Sequence, residues 1–371
     1  MPLLPSQQTS KPPKHGGCVY SLSEAYGRPV VDWLDLSSGI NPNTYPVGTC
    51  SKGAWGALPS EHDTLKSAAA AYYGCDSILM VPGSQWAIEI LPSVVGELIA
   101  SKMKQSSSRV LVPKRGYAEH AYRWGNAGYE ISYYCDLPSK QQRNGCDVCV
   151  LINPNNPTGY RASPTELAEL HDDLIAQDAF LIVDEAFMDA TPEYSILNRR
   201  KLSNLIVLRS LGKFFGLAGA RVGAVIASPE LLRIMSANIP IWSISGPSRE
   251  VAERAYLDRE WQLATRRVLL SDRSRMVKLL FDSFGVKSVG CELFQTLYID
   301  DAESVFEALC CAGVAVRLLD DKKGLRFGLP AHQSDDWQRL EFVLNELDYL
   351  QAVGTGELVL AQECAESCVV E

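Results

Sequence analysis

Four kinds of residue in this chain could do chemistry together: a lysine, a buried acid, an asparagine and an arginine. Lys213 lies in Ser210-Leu211-Gly212-Lys213-Phe214-Phe215-Gly216. Apolar neighbours desolvate its ammonium, which lowers its pKa and prepares the amine to attack a carbonyl and form an imine. Asp184, in Val183-Asp184-Glu185-Ala186, closes an apolar run, where a carboxylate is costly unless something positive meets it. Asn156 belongs to Asn153-Pro154-Asn155-Asn156-Pro157-Thr158-Gly159, a turn by composition that also follows an apolar run. Arg221, in Ala220-Arg221-Val222-Gly223, offers a fixed positive fork for an anion, with Ser210 as a hydroxyl nearby in sequence.

These groups need strand ends to bring them together, and the surrounding pattern supplies them. Apolar, β-branched runs at Arg109–Val112, Glu130–Tyr134, Val148–Ile152, Phe180–Val183, Leu205–Leu208 and Val222–Ala227 read as strands. Helical spacing covers Glu61–Tyr73, the segment after Gly83, Ala118–Asn126 and Ser163–Gln177. Buried strands separated by helices predict an α/β fold, a mostly parallel sheet in three α/β/α layers with ligands at the carboxyl ends of its strands. A long helical region, about Ser248 to Phe284, leads to a smaller α+β domain. Its strands are Phe294–Ile299, Ala315–Leu318 and Leu325–Leu329, and its helices Ala302–Ala312 and Ser334–Leu347. The expected division is an N-terminal arm and substrate-contacting segment at 1–45, a large domain at 46–250, a small one at 251–350 and a tail at 351–371.

Composition sets outer limits. The chain has 371 residues, enough for two domains around a sizeable core, and its 46% hydrophobic and 21% charged content excludes disorder. Its net charge of −9, without a long basic run, predicts no nucleic-acid or membrane partner, so anionic substrates must be met by a few local arginines. No stretch reaches the roughly 18 apolar residues of a membrane span, and the proline-containing start lacks the apolar core of an export signal. Eleven cysteines without framework spacing read as reduced thiols of a cytoplasmic protein. Cys146 and Cys149, and Cys364 and Cys368, could be imagined around zinc, but the first pair abuts a buried strand and no metal is expected. Gly212-Lys213 is no nucleotide loop, because Val207 stands at its first glycine position and Phe214 at its Ser/Thr position.

The ordered set of Asn156, Asp184, Ser210, Lys213 and Arg221 resembles the fold-type I pyridoxal-phosphate enzymes, over about His15 to Leu347. That resemblance implies that Lys213 is the Schiff-base lysine and later the acid/base at the substrate's α-carbon. Asp184 pairs with the pyridinium nitrogen and Asn156 with the ring's 3′-oxygen. Ser210 and Arg221 hold the phosphate, with Ser84, Gln85 and Trp86 at the start of the next helix completing the cup. Tyr117, in Gly116-Tyr117-Ala118-Glu119-His120, stacks on the ring. Many members carry tyrosine three residues after the ring aspartate, where this chain has Phe187.

Flanking segments narrow the resemblance. His15-Gly16-Gly17, Leu36-Ser37-Ser38-Gly39-Ile40-Asn41-Pro42, Pro82-Gly83-Ser84-Gln85 and Leu325-Arg326-Phe327-Gly328-Leu329-Pro330 look like the threonine-phosphate decarboxylases of cobalamin biosynthesis. They imply that O-phospho-L-threonine is held by His15, Gly16, Gly39, Asn156, Arg317 and Arg326, the arginines taking its carboxylate and phosphate. The product would be aminopropanol phosphate, and the enzyme a homodimer. For Arg317 the alternative is an ion pair with Asp320 or Asp321. Two other functions stay open: a histidinol-phosphate-type aminotransferase with a 2-oxo acid acceptor, and a non-catalytic regulator using the fold to bind a ligand. Where relatives of the former carry Arg-Tyr-Pro, this chain has Ala57-Leu58-Pro59, and its length leaves no room for a DNA-binding domain.

Overall fold

A computed structural model describes residues 12–13, 17, 19–59, 64–101, 108–198 and 202–352. His15, Gly16, the Cys364/Cys368 pair and residues 353–371 lie outside the described residues. The larger sheet has seven strands, in the spatial order Ile78–Val81, Gly223–Ala227, Leu205–Ser210, Phe180–Asp184, Val148–Ile152, Arg109–Pro113 and Glu130–Tyr134. All run parallel except Gly223–Ala227, which is antiparallel to both of its neighbours. The fold is therefore the expected α/β architecture with a mostly parallel sheet. One strand, Ile78–Val81, was not foreseen: four residues between two helices give too short a run to announce itself.

Both faces of the sheet are covered, and the alternation of side chains divides the core accordingly. On one face Val150, Ile182, Ile206 and Leu208 pack with Ile88, Leu91 and Val95 of the helix Ser84–Ser101. On the other, Leu151, Val183 and Val207 pack with Leu167, Leu170 and Leu174 of the helix Pro164–Ala176. Each such side chain, fully buried, contributes about 1.5–3 kcal/mol relative to exposure. By the same parity, Asp184 and Ser210 share the face of the Ser84–Ser101 helix.

The second sheet is antiparallel, in the order Arg317–Leu318, Gly324–Gly328, Phe294–Tyr298 and Val289–Cys291. The expected single strand Ala315–Leu318 is split: Val314–Ala315 instead pairs in parallel with Leu34–Asp35. The long helical region is also two helices, Gly246–Leu257 and Arg259–Phe284, because Asp258 turns its side chain to accept from the Trp261 N–H and caps the second. Among the described residues no helix is long and apolar enough to cross a membrane.

The segment after Leu34–Asp35 ties the two sheets together. The Leu36 carbonyl accepts from Gly328 at 2.7 Å, and further on Asn41 N donates to the Lys213 carbonyl at 3.0 Å and Tyr45 N to that of Phe215 at 2.9 Å.

Candidate active site

Val81, Gly223 and Ser210 lie in one register across three adjacent strands, so their ends meet at one point. The helix Ser84–Ser101 starts there, directly after Gly83, whose φ is +82°. A Cβ on Gly83 would stand 2.6 Å from Nη2 of Arg221, and one on Gly223 would stand 2.7 Å from the Ser84 nitrogen. Glycine is thus required for the guanidinium, the first helical turn and Ser210 to converge. Unpaired N–H groups, the positive end of the helix and a guanidinium make this corner a receptor for an anion.

The three residues opening that helix differ in what they offer. Trp86 has its N–H engaged by the Gly83 carbonyl at 3.2 Å, leaving Ser84 and Gln85 as the free backbone donors of the turn. The side chain of Gln85 is a brace: its oxygen accepts from the Tyr117 hydroxyl at 3.0 Å, and its nitrogen donates to Glu119 at 2.8 Å. Tyr117 is half-buried, and burial raises its phenol pKa, so it stays a neutral donor.

At the other end of the site Asp184 is buried, with one oxygen 3.0 Å from His120 Nε2 and the other accepting from the Ala186 N–H at 3.0 Å. His120 was not singled out from sequence; its only signal is a histidine one helical turn beyond Tyr117, at a face that proves to be 1% exposed. Lys213 Nζ lies 5.5 Å from the centre of the Phe187 ring, and Phe187 meets Phe294 edge-on at 5.2 Å. Gly39 makes room for this pair, since a Cβ there would come within 2.9 Å of Phe187 and 3.1 Å of Phe294.

Burial pushes the Lys213 ammonium down to about 8; Arg326 and Arg221 act in the same direction, and Asp184 opposes them. At pH 7 about one Lys213 in ten is then a free amine, against about one in a few thousand for an ordinary lysine. In cofactor-free protein, labelling of Lys213 by an amine-directed reagent, followed by mass spectrometry, is expected to rise about tenfold per pH unit up to about 8 and then level off. A rate still climbing at pH 10 would contradict the depressed value.

Arg326, 9% exposed, donates to Asn156 Oδ1 at 2.6 Å and to the Ser37 carbonyl at 2.7 Å, while its Nε has no partner. Burial and the neighbouring charge of Arg317 lower its pKa to about 10. Arg317 faces Arg326 in the antiparallel register and donates to Asp320 at 2.9 Å, one of the two partners the sequence suggested. Because Asn156 Oδ1 is taken by Arg326, its amide nitrogen is the end left to donate.

Two supports behind the site were also missed. Asn41, fully buried, donates from its side chain to the Phe214 carbonyl at 2.8 Å and from its backbone N–H to the Lys213 carbonyl, and so clasps the lysine turn at two successive carbonyls. On the far face of the sheet Arg209 meets Glu185 at 2.6 Å and Asp189 at 2.9 Å. Burial works against the Arg209 charge, but the two carboxylates outweigh it and hold the guanidinium above its ordinary value. Burial in turn raises Asp189 to about 6. This network joins the strand end carrying Asp184 to the one carrying Ser210.

The donor set matches pyridoxal phosphate part by part: an anion corner, a depressed lysine amine, an amide donor and a buried carboxylate for the ring nitrogen. The Gly83–Arg221 contact, too close for any Cβ, is the feature of the cradle that ties this match to the coordinates.

Known proteins resemble this chain over most of its length. The family of aminotransferases of class I and II matches residues 51–292. Threonine-phosphate decarboxylase of Pseudomonas aeruginosa is 37% identical over 331 residues, 89% of this chain and 97% of that protein. Its counterpart from a Sinorhizobium species is 32% identical over 334 residues, 88% of this chain and 96% of that protein. Among solved structures, histidinol-phosphate aminotransferase from Sinorhizobium meliloti in complex with pyridoxal-5′-phosphate has a TM-score of 0.73 at 18% identity. It covers 90% of this chain and 94% of its own, and speaks for the fold alone.

Proposed function

Because the chain belongs to the class I and II aminotransferase family, we propose that it is a pyridoxal-phosphate enzyme that decarboxylates O-phospho-L-threonine. The product is (R)-1-amino-2-propanol phosphate, and the setting is cobalamin biosynthesis. The observation that carries this reading is the pair Arg317 and Arg326, side by side across two strands, with Arg326 bonded to Asn156 and close enough to Lys213 to act on its charge. A substrate with both a carboxylate and a phosphate matches two adjacent guanidinium groups. Nearly full-length similarity to two threonine-phosphate decarboxylases supports the same choice.

When bound, the cofactor supplies an electron-poor ring that takes up the electron pair released as the carboxylate leaves. The chain's residues make that possible. Ser210, Arg221 and the N–H groups of Ser84 and Gln85 hold the phosphate, and Tyr117, braced by Gln85, covers the ring. Asp184, oriented by His120 and the Ala186 N–H, would keep a proton on the ring nitrogen, and Asn156 would donate to the ring oxygen. Lys213 anchors the cofactor at rest. During turnover its nitrogen would give the substrate's α-carbon the proton that replaces carbon dioxide. Phe187 and Phe294 keep water from that nitrogen.

Decarboxylation and transamination differ in which bond at the α-carbon breaks, the one to the carboxylate or the one to hydrogen. Arg326, next to Asn156, would hold the carboxylate and so favour the first. His15, Gly16 and Gly39 complete the substrate site in this reading. It also includes a homodimer in the cytoplasm, for which exposed Trp55, Ile241 and Trp242 offer apolar surface.

The test is to incubate the holoenzyme with phosphothreonine, with and without 2-oxoglutarate. Carbon dioxide and aminopropanol phosphate, independent of the oxo acid, are expected. Glutamate without carbon dioxide would instead mark an aminotransferase.

A further inference from the structure

We propose that Asp320 is an intramolecular exchange partner for the substrate's phosphate: it holds Arg317 in the substrate-free protein, yields it on binding and retakes it as product leaves. This rests on the reading of Arg317 as a substrate residue.

Division of labour between the two arginines comes first. Arg326 contacts Asn156 and lies close enough to Lys213 to depress its amine, so it serves the end of the substrate where the carboxylate departs. Arg317 sits one strand further out, on the strand Arg317–Leu318 at the edge of the small sheet, and is left for the phosphate.

Asp320 is built to reach it. A tight hairpin joins Arg317–Leu318 to Gly324–Gly328, closed by Leu319 N to the Gly324 carbonyl at 2.9 Å and Lys322 N to the Leu319 carbonyl at 2.9 Å. Its tip brings the Asp320 carboxylate to 2.9 Å from Arg317 Nη2, with the Asp320 side chain 69% exposed and that of Arg317 22% exposed. The partnership therefore neutralises one of two adjacent cations when no substrate is present, yet it is weak enough to be exchanged: a pair of this exposure shifts an equilibrium only about two- to five-fold. Asp320 leaves to solvent without loss of a buried contact.

The exchange matters most for release. Decarboxylation removes the carboxylate but leaves the phosphate, so the product keeps its hold on Arg317. A carboxylate waiting three residues away competes for that guanidinium and favours departure.

The next residue supplies a control. Asp321 pairs with Arg115 at 3.0 Å, whose guanidinium lies 4.9 Å from the Tyr298 ring centre, so it places the same kind of side chain on the same tip with its carboxylate on a different guanidinium. Asp320→Asn and Asp321→Asn holoenzymes should be compared with wild type at 0.15 M salt. Calorimetry gives the affinities for inorganic phosphate and for aminopropanol phosphate, and steady-state kinetics gives KM and kcat for phosphothreonine. Asp320→Asn is expected to tighten both affinities and lower KM by a common factor of about two to five, with kcat unchanged or lower. Asp321→Asn is expected to change them by less. No tightening in Asp320→Asn, or equal tightening in both variants, overturns the exchange, the second because it indicates only the general field of the tip. If phosphothreonine is not turned over by wild type while phosphate still binds Asp320→Asn more tightly, the exchange stands and the decarboxylase reading fails.

Discussion

Lys213→Ala is expected to lose the visible absorption of lysine-bound cofactor and at least about 10⁴-fold in turnover. The size follows from two losses at one atom. In the proposed reaction the amine would be both the anchor that makes the cofactor reactive and the donor of the proton to the α-carbon, and positioned acid–base catalysis alone accounts for about 10²–10⁴. The phosphate corner of Ser210, Arg221 and the Ser84 turn is untouched, so cofactor should still bind, but reversibly, and be removed by dialysis. Retention of the absorption would overturn the assignment of Lys213. A stability measurement separates this from unfolding. A lysine whose pKa is lowered to about 8 by burial weakens the cofactor-free fold while the pH is below that value. Stability then recovers as the pH rises through the interval between about 8 and the ordinary lysine value. Lys213→Met, which fills the same space without the charge, is therefore expected to melt above wild type at pH 7 when both are free of cofactor, and the difference should shrink by pH 10. A lower melting temperature at pH 7 would mean that the ammonium is better accommodated than its surroundings suggest.

Much of this site could be read from sequence because its reacting groups end apolar runs. Asp184 follows Phe180–Val183, Ser210 follows Leu205–Leu208, and a sheet that binds at its strand ends gathers such residues without further information. What could not be read depends on neighbours remote in the chain. His120 is 64 residues from Asp184, and Asn41 is 173 from Phe214, with no local pattern marking either contact. Arg209 was hidden for another reason: a charged residue inside a strand reads as an exposed position, and only the facing Glu185 and Asp189 make its burial tolerable. The antiparallel course of Gly223–Ala227 was equally silent, since an apolar run has the same composition in either direction. Arg317 shows the limit from the other side. Sequence offered both an ion pair and a substrate role, and its contact with exposed Asp320 is compatible with both only if the pair can open.

Asp184→Asn is expected to leave the fold and the lysine-bound cofactor in place yet reduce turnover by about 10²–10³, the cost of losing one preorganised electrostatic contact at a reacting centre. Asparagine keeps the shape of the side chain, one acceptor for the Ala186 N–H and one group within reach of His120. It would lack the carboxylate proposed to keep a proton on the ring nitrogen, and with it the electron-withdrawing chemistry the cofactor would supply. The two variants therefore fail differently. Lys213→Ala loses the spectral signature along with activity, whereas Asp184→Asn keeps the signature and loses activity, with kcat falling far more than KM rises because the missing interaction is made chiefly in the transition state. His120→Asn, which leaves the Asp184 carboxyl in place but removes its ring partner, should fall between wild type and Asp184→Asn. Turnover in Asp184→Asn within threefold of wild type would show that the carboxylate is structural, and would move the search for the proton's holder to another group.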